Sequence, residues 1–177
     1  MPVPIPTSTS TPTSPATATS TASDRVPTWL LALAGVVFVA LAGNRAGIAA
    51  LAWIAPVPLA LAATRLRGVR GRTLLLLACV AAVTLQTSKL VSPPVPPTFA
   101  LAFGVPLGAL LALVLALWDT LQRRAGPAWS IHAFAALSAL SDWVGLAFSP
   151  GGHWATAAAS LADDLPLMQV AALGGLA

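Results

Sequence analysis

The sequence predicts an all-α, polytopic integral membrane protein with about five transmembrane helices, an incomplete sixth and a disordered amino-terminal tail. Two observations predict this class. Of the 177 residues, 57% are hydrophobic and only 8% are charged, whereas about a quarter of a soluble domain is charged. The apolar residues also form long runs between short polar stretches, as membrane helices of about 20 residues require. So little charge cannot cover a water-exposed globule.

The amino-terminal tail is predicted to cover residues 1–26. Up to residue 23 it is dominated by Pro, Thr, Ser and Ala and has no charge, so it buries too little apolar surface to offset its ordering entropy. It lacks the basic start and apolar core of a signal peptide. A spacer or glycosylated stalk is the alternative interpretation.

The remaining residues, 27–177, are predicted to form a helical transmembrane domain. The predicted spans cover residues 27–42, 46–64, 73–88, 98–121 and 127–148. An outer-face segment at 149–164 follows, and then the start of a sixth span at 165–177, which at about 13 residues is too short to cross a bilayer. Alternatively, the first two runs form a shallow hairpin, because the first is only about 24 Å long as a helix. A hairpin leaves the later topology unchanged.

The basic residues predict the orientation. Seven of them fall on one predicted side: Arg25, Arg65, Arg67, Arg70, Arg72, Arg123 and Arg124. Only Arg45 and Lys89 fall on the other. Because basic loops stay in the cytoplasm, the amino terminus is predicted inside and residues 149–164 outside. Such clustering between apolar runs also argues against nucleic acid as the partner of this chain, despite its net charge of +4.

Two patterns inside the runs predict local structure. Pro56 and Pro58 predict a kinked or broken second run, because each removes a backbone donor and clashes with the preceding turn. The break is either an opening for a lipid or substrate, or a kink satisfied by neighbouring helices. Gly104 and Gly108 form a G-x-x-x-G pattern, which permits close approach of two helices.

Polar residues near the predicted outer face form a candidate polar or interfacial site. Its members are Asp142, His153, Trp154, Asp163, Asp164 and Gln169. Asp142 stands out because it lies inside the fifth run, where a charge costs about 2.5–3.5 kcal/mol at the centre of the bilayer. It either belongs to a polar pocket or reaches the outer interface and is solvated.

No catalytic, cofactor or metal site is predicted. Cys79 lies in the apolar stretch "LLLLACVAAV", where burial suppresses the reactive thiolate. Two histidines and one cysteine at distant points do not make a metal site. No glycine-rich phosphate-binding loop follows a strand.

The order of these parts resembles the amino-terminal membrane half of the apolipoprotein N-acyltransferases, over about residues 29–177. The positions that carry the resemblance are Trp53 to Leu59 in the second run, then Asp142, Trp154, Ser160, Asp163 to Leu167, Gln169 and Gly174. The family usually has Glu near the position of Asp142 and a Tyr- or Gln-containing segment where this chain has "AAAS".

The resemblance implies a bacterial inner-membrane protein of lipoprotein biosynthesis. In that family a nitrilase-like domain follows on the outer face, and its Glu, Lys and Cys triad transfers an acyl chain from a phospholipid to a lipoprotein. This sequence contains no Glu, and Lys89 and Cys79 do not match the triad. The expectation is therefore a truncated, split or degenerate form that is inactive alone. Its partners would be the bilayer and a separately encoded nitrilase-like domain or a lipoprotein substrate.

Two other readings stay open. The chain is alternatively a free-standing small membrane scaffold or partner-binding protein. A transporter subunit would need polar residues that face one another at mid-membrane, and the runs offer few of them.

Overall fold

Helices make up the described part of the computed structural model, which covers residues 26–42, 48, 51–89, 91 and 96–148. Within those residues six helical segments and no strand are present, so the predicted all-α class is confirmed for them. The segments are α1 (Thr28–Leu41), α2 (Leu51–Ile54), α3 (Pro56–Arg65), α4 (Gly68–Ser88), α5 (Thr98–Ala125) and α6 (Pro127–Phe148). Most of the predicted tail, the outer-face segment 149–164 and the sixth-span start 165–177 lie outside the described residues.

In the described part of the chain two helices are, by length and composition, apolar enough to cross a membrane: α4 and α5. α1 is apolar but has 14 residues, or about 21 Å at the helical rise. The total of about five spans therefore stays a prediction, to which these two helices give partial support.

α4 and α5 are longer than the predicted spans, whereas α6 has the predicted bounds. α4 begins at Gly68 rather than Thr73, and α5 continues to Ala125 rather than Leu121. α5 ends where Gly126 adopts a positive φ of 85°, a backbone conformation that glycine adopts far more readily than other residues do. Arg70, Arg72, Arg123 and Arg124 are consequently helical residues and not loop residues.

The predicted break in the second run is present. α2 ends at Ile54, α3 begins at Pro56, and Ala55 lies between them. Pro56 and Pro58 both fall in the first turn of α3, where backbone N–H groups have no partner inside the helix. The missing donors therefore cost α3 little. Ala55 keeps helical backbone angles, and its N–H group bonds to the carbonyl oxygen of Leu51 at 2.7 Å, so the prolines interrupt the helical hydrogen bonding only locally.

Small residues allow α4 and α5 to pack closely. A Cβ atom at position 104 would lie 2.6 Å from the Cα atom of Thr84, and one at position 108 would lie 2.5 Å from the Cα atom of Val80. The G-x-x-x-G pattern thus forms a close helix contact. The adjoining core consists of Leu59, Ala63, Leu75, Cys79, Ala112 and Leu115.

Candidate functional site: a buried carboxylate between arginines

The ends of four helices meet at one end of the bundle. The Arg65 Nη1 atom at the end of α3 donates a hydrogen bond to the carbonyl oxygen of Val26, just before α1, at 2.5 Å. Arg72, near the start of α4, pairs with Asp119, near the end of α5. The starts of α1 and α4 therefore lie beside the ends of α3 and α5.

Asp119 is the centre of this end of the bundle. It is only 1% exposed. Its Oδ2 atom accepts a hydrogen bond from Arg72 Nη2 at 2.6 Å and also forms an ion pair with Arg123. The Arg123 Nε atom additionally donates to the backbone carbonyl oxygen of Asp119 at 3.2 Å. The Asp119 carboxylate thus links the guanidinium group of Arg123, on the same helix, to that of Arg72 on α4.

The local sequence explains half of this arrangement. Asp119 and Arg123 are four residues apart, so they lie on the same face of α5. The second arginine comes from α4, which the glycine contacts hold close to α5. A buried carboxylate is costly unless it is paired and hydrogen-bonded, and the two arginines satisfy that requirement.

Positive charge exceeds negative charge around Asp119. The positive charges of Arg67 and Arg72 both act on Arg123, so a third guanidinium group lies near the two that pair with Asp119. We call these four residues, Arg67, Arg72, Asp119 and Arg123, the arginine cluster. The Arg72 Nη1 atom is buried and has no hydrogen-bond partner among the described residues. The cluster therefore has more donors than acceptors, which suits it to holding an anion.

Sequence reasoning missed Asp119. The acidic residue singled out from the sequence is Asp142 in the fifth run, whereas Asp119 lies in the fourth. Two signals in the sequence mark the site: a single acidic residue in an apolar run, and an arginine four residues after it. The pairing with Arg72 could not be read from the sequence, because it depends on how α4 and α5 align.

Of the six residues predicted to form a polar site near the outer face, the structure describes only Asp142. This residue lies in α6, is partly buried and has at least one interaction partner. The other five members, His153, Trp154, Asp163, Asp164 and Gln169, lie outside the described residues. That site stays a prediction.

Of the seven basic residues that predict the orientation, the six that the structure describes lie toward the same end of the bundle. Arg65, Arg72 and Arg123 make the contacts given above. The Arg67 Nε atom donates a hydrogen bond to the carbonyl oxygen of Thr64 at 3.2 Å, and Arg70 and Arg124 are exposed. The fold thus brings the two basic clusters to one end of the bundle. The side of a bilayer that this end faces remains a prediction.

Nucleophilic and metal-binding groups are scarce in the described residues. Cys79 is fully buried in the α4–α5 core. Among the residues that the structure describes, no group of three His, Cys, Asp or Glu side chains is placed to hold a metal ion.

No family model, curated protein or solved structure matches this chain. The resemblance to the apolipoprotein N-acyltransferases rests on the sequence positions alone.

Proposed function

We propose that this chain is a multi-pass, membrane-embedded helical domain without catalysis of its own, and that it forms the membrane half of a lipoprotein-acylating system. The observation that carries the membrane assignment is the exposure of its apolar helices. In the most apolar 18-residue stretch of α4 only 28% of the residues are buried, and in that of α5 only 33% are buried. A helix in the core of a soluble protein can be apolar on all sides because it is mostly buried. α4 and α5 are apolar, but most of their residues are not buried.

The distribution of side-chain size supports the same assignment. The contact between α4 and α5 buries the small residues Gly104 and Gly108. Large side chains such as Leu77 and Leu101 are instead exposed, by 58% and 57%. Helix contacts inside membranes are rich in small residues, because lipid tails solvate leucine as well as another helix does.

The charges support the orientation. The end of the bundle that holds the arginine cluster also holds Arg70 and Arg124, and basic segments favour the cytoplasmic side of a membrane. We place this end in the cytoplasm of a bacterium and residues 149–164 on the outer face of its inner membrane. The amino terminus is then inside.

The lipoprotein-acylating role is supported by the sequence resemblance. In this proposal the helices anchor a nitrilase-like domain at the outer face, near Asp142 and the segment that follows it. Acyl transfer needs an activated nucleophile, a base and donors for the oxyanion. The proposal assigns all of these to the nitrilase-like domain, outside these 177 residues.

The topology is tested with reporter fusions to the chain. Alkaline phosphatase fused after Gly152 should be active, since that enzyme works only outside the cytoplasm, and the same enzyme fused after Arg67 should be inactive. A cytoplasmic fluorescent protein should give the reverse pattern. Activity of the phosphatase after Arg67 would contradict the proposed orientation.

The role is tested by acyl transfer. The full chain in detergent, given phospholipid and a diacylated lipopeptide, should produce no triacylated product. Co-expression with the nitrilase-like domain of an apolipoprotein N-acyltransferase should yield a complex with measurable transfer. Transfer by the chain alone that disappears in His153→Ala would overturn the proposal. A stable complex without transfer would favour a partner-binding membrane protein instead.

A further inference from the structure

The arginine cluster has an excess of positive charge that the described part of the protein does not neutralise. The guanidinium groups of Arg72 and Arg123 pair with the single carboxylate of Asp119, and the positive charge of Arg67 acts on Arg123. Both arginines that pair with Asp119 bond the same oxygen atom, Oδ2. The Arg72 Nη1 atom has no acceptor within the described residues.

We propose that the arginine cluster binds the phosphate group of an anionic phospholipid at the cytoplasmic face of the membrane. Arg67 and Arg123 contact the phosphate oxygens from the surface, and Arg72 supplies positive charge from beneath them. Asp119 is a positioning residue that holds Arg72 and Arg123 together. The inference rests on the proposed membrane embedding, which the reporter fusions test separately.

The exposure of the three arginines fits this division of roles. The Arg123 side chain is 40% exposed and that of Arg72 is 32% exposed, while Arg67 is exposed. The planar guanidinium group can present two parallel N–H donors to phosphate oxygens. Asp119 itself is buried and touches no ligand in this arrangement.

The neighbouring surface favours a lipid over a free anion. Leu76 lies four residues after Arg72, on the same face of α4, and it is 39% exposed. Leu77 beside it is 58% exposed. A ligand with a phosphate group and acyl chains matches a basic surface that adjoins an apolar one. Basic pockets between membrane helices on the cytoplasmic side bind such headgroups.

The test is native mass spectrometry of the full chain in a neutral detergent. The probes are phosphatidylglycerol, which is anionic, and phosphatidylcholine, which is zwitterionic. The wild-type chain should retain phosphatidylglycerol in preference to phosphatidylcholine. Arg67→Gln should weaken phosphatidylglycerol binding roughly five- to tenfold, as expected when one basic contact is lost.

The matched control is Arg70→Gln, which removes one exposed arginine at the same end of the bundle but outside the cluster. It should leave the preference unchanged. Arg67 makes no contact with Asp119 in the ion pairs above, so Arg67→Gln is expected to fold, and size-exclusion chromatography checks this. Arg123→Gln is a second variant with the same expected loss.

Three results would overturn the inference. An equal loss in Arg67→Gln and Arg70→Gln would show a general charge effect. Displacement of phosphatidylglycerol by millimolar inorganic phosphate would identify a free-anion site. A wild-type chain with the proposed topology but no preference for phosphatidylglycerol would reject the lipid site while leaving the membrane assignment intact.

Discussion

Gly108 of α5 lies against the backbone of Val80 in α4, so closely that a Cβ atom at position 108 would lie 2.5 Å from the Val80 Cα atom. The same Cβ atom would lie 2.9 Å from the carbonyl oxygen of Cys79. Backbone atoms cannot move aside as a flexible side chain can. Position 108 therefore sets the distance between the two helices that have the length and composition of membrane spans.

Gly108→Ala should destabilise the bundle even though alanine is the better helix former. Forcing a methyl group into a closed contact costs about 1–3 kcal/mol, which exceeds the gain of roughly 1 kcal/mol in helix propensity. The measurement is thermal unfolding of the purified chain in detergent, followed by circular dichroism.

Gly145→Ala in α6 is the matched control. A Cβ atom there would meet nothing within 4 Å among the described residues. Gly145→Ala should therefore show only the stabilising gain in helix propensity, and the melting temperature should not fall. A Gly108→Ala variant as stable as the wild-type chain would show that α4 and α5 are not packed as described.

Asp119→Asn should also lower the stability, because it leaves the guanidinium groups of Arg72 and Arg123 without their carboxylate. Breaking a fully buried ion pair costs about 3–5 kcal/mol. Here the arginines are about one-third exposed, and solvent screening reduces the expected loss to about 1–3 kcal/mol. Unfolding by denaturant in mixed micelles measures it.

A double-mutant cycle tests whether the loss comes from the pairing. Arg72→Met and Asp119→Leu, separately and together, should give a coupling free energy of about 1 kcal/mol or more. Arg124→Gln, which removes a nearby exposed arginine, should have little effect. Additive losses for Arg72→Met and Asp119→Leu would show that the ion pair contributes nothing.

Cys79 should be unreactive in the folded chain. It is fully buried in the core, and a buried thiol in apolar surroundings is inert. In the chain purified in detergent, a polar maleimide should label it only after unfolding. An Arg124→Cys change in a Cys79→Ala background should react readily under the same conditions, because position 124 is exposed. Rapid labelling of Cys79 in the native chain would reveal a water-filled path between α4 and α5.

Trp118→Phe should weaken the contact between α5 and α6. The Trp118 Nε1 atom donates a hydrogen bond to the carbonyl oxygen of Ser130 at 3.0 Å, and the Trp118 ring meets Phe134 edge to face, at a centroid distance of 5.8 Å. Phenylalanine keeps much of the ring contact but loses the donor, at a cost of about 1 kcal/mol. Thermal unfolding measures this cost.

Trp129→Phe provides the comparison for Trp118→Phe, because Trp129 is 67% exposed. It should change the melting temperature less than Trp118→Phe does. Equal effects of the two substitutions would show that the bond to Ser130 does not stabilise the bundle.

The sequence predicted the helices better than it predicted their ends. Apolar runs located α1, α4, α5 and α6, and the prolines located the break at position 55. The bounds of α4 and α5 differ because hydropathy marks the lipid-soluble part of a helix, whereas the helix itself continues through Arg70 and Arg72, and past Arg123, until a glycine ends it.

The candidate site was harder to predict for a different reason. The orientation was predicted from the number of basic residues on each side of the membrane, and that number carries no information about which residues an arginine contacts. It gave no indication that Arg72 would meet Asp119, since that contact joins residues 47 positions apart. Only the alignment of α4 and α5, fixed by the close contacts at Gly104 and Gly108, brings the two side chains together.

The order of the partners of Asp119 along the chain has a consequence for biosynthesis. α4 is synthesised before α5, so Arg72 is already available when Asp119 emerges from the ribosome. Arg123 follows four residues later on the same helix. We therefore expect the acidic residue to enter the membrane with a counter-charge ahead of it and another directly behind it. A chain with its fourth and fifth helices exchanged would have to insert the carboxylate before Arg72 existed.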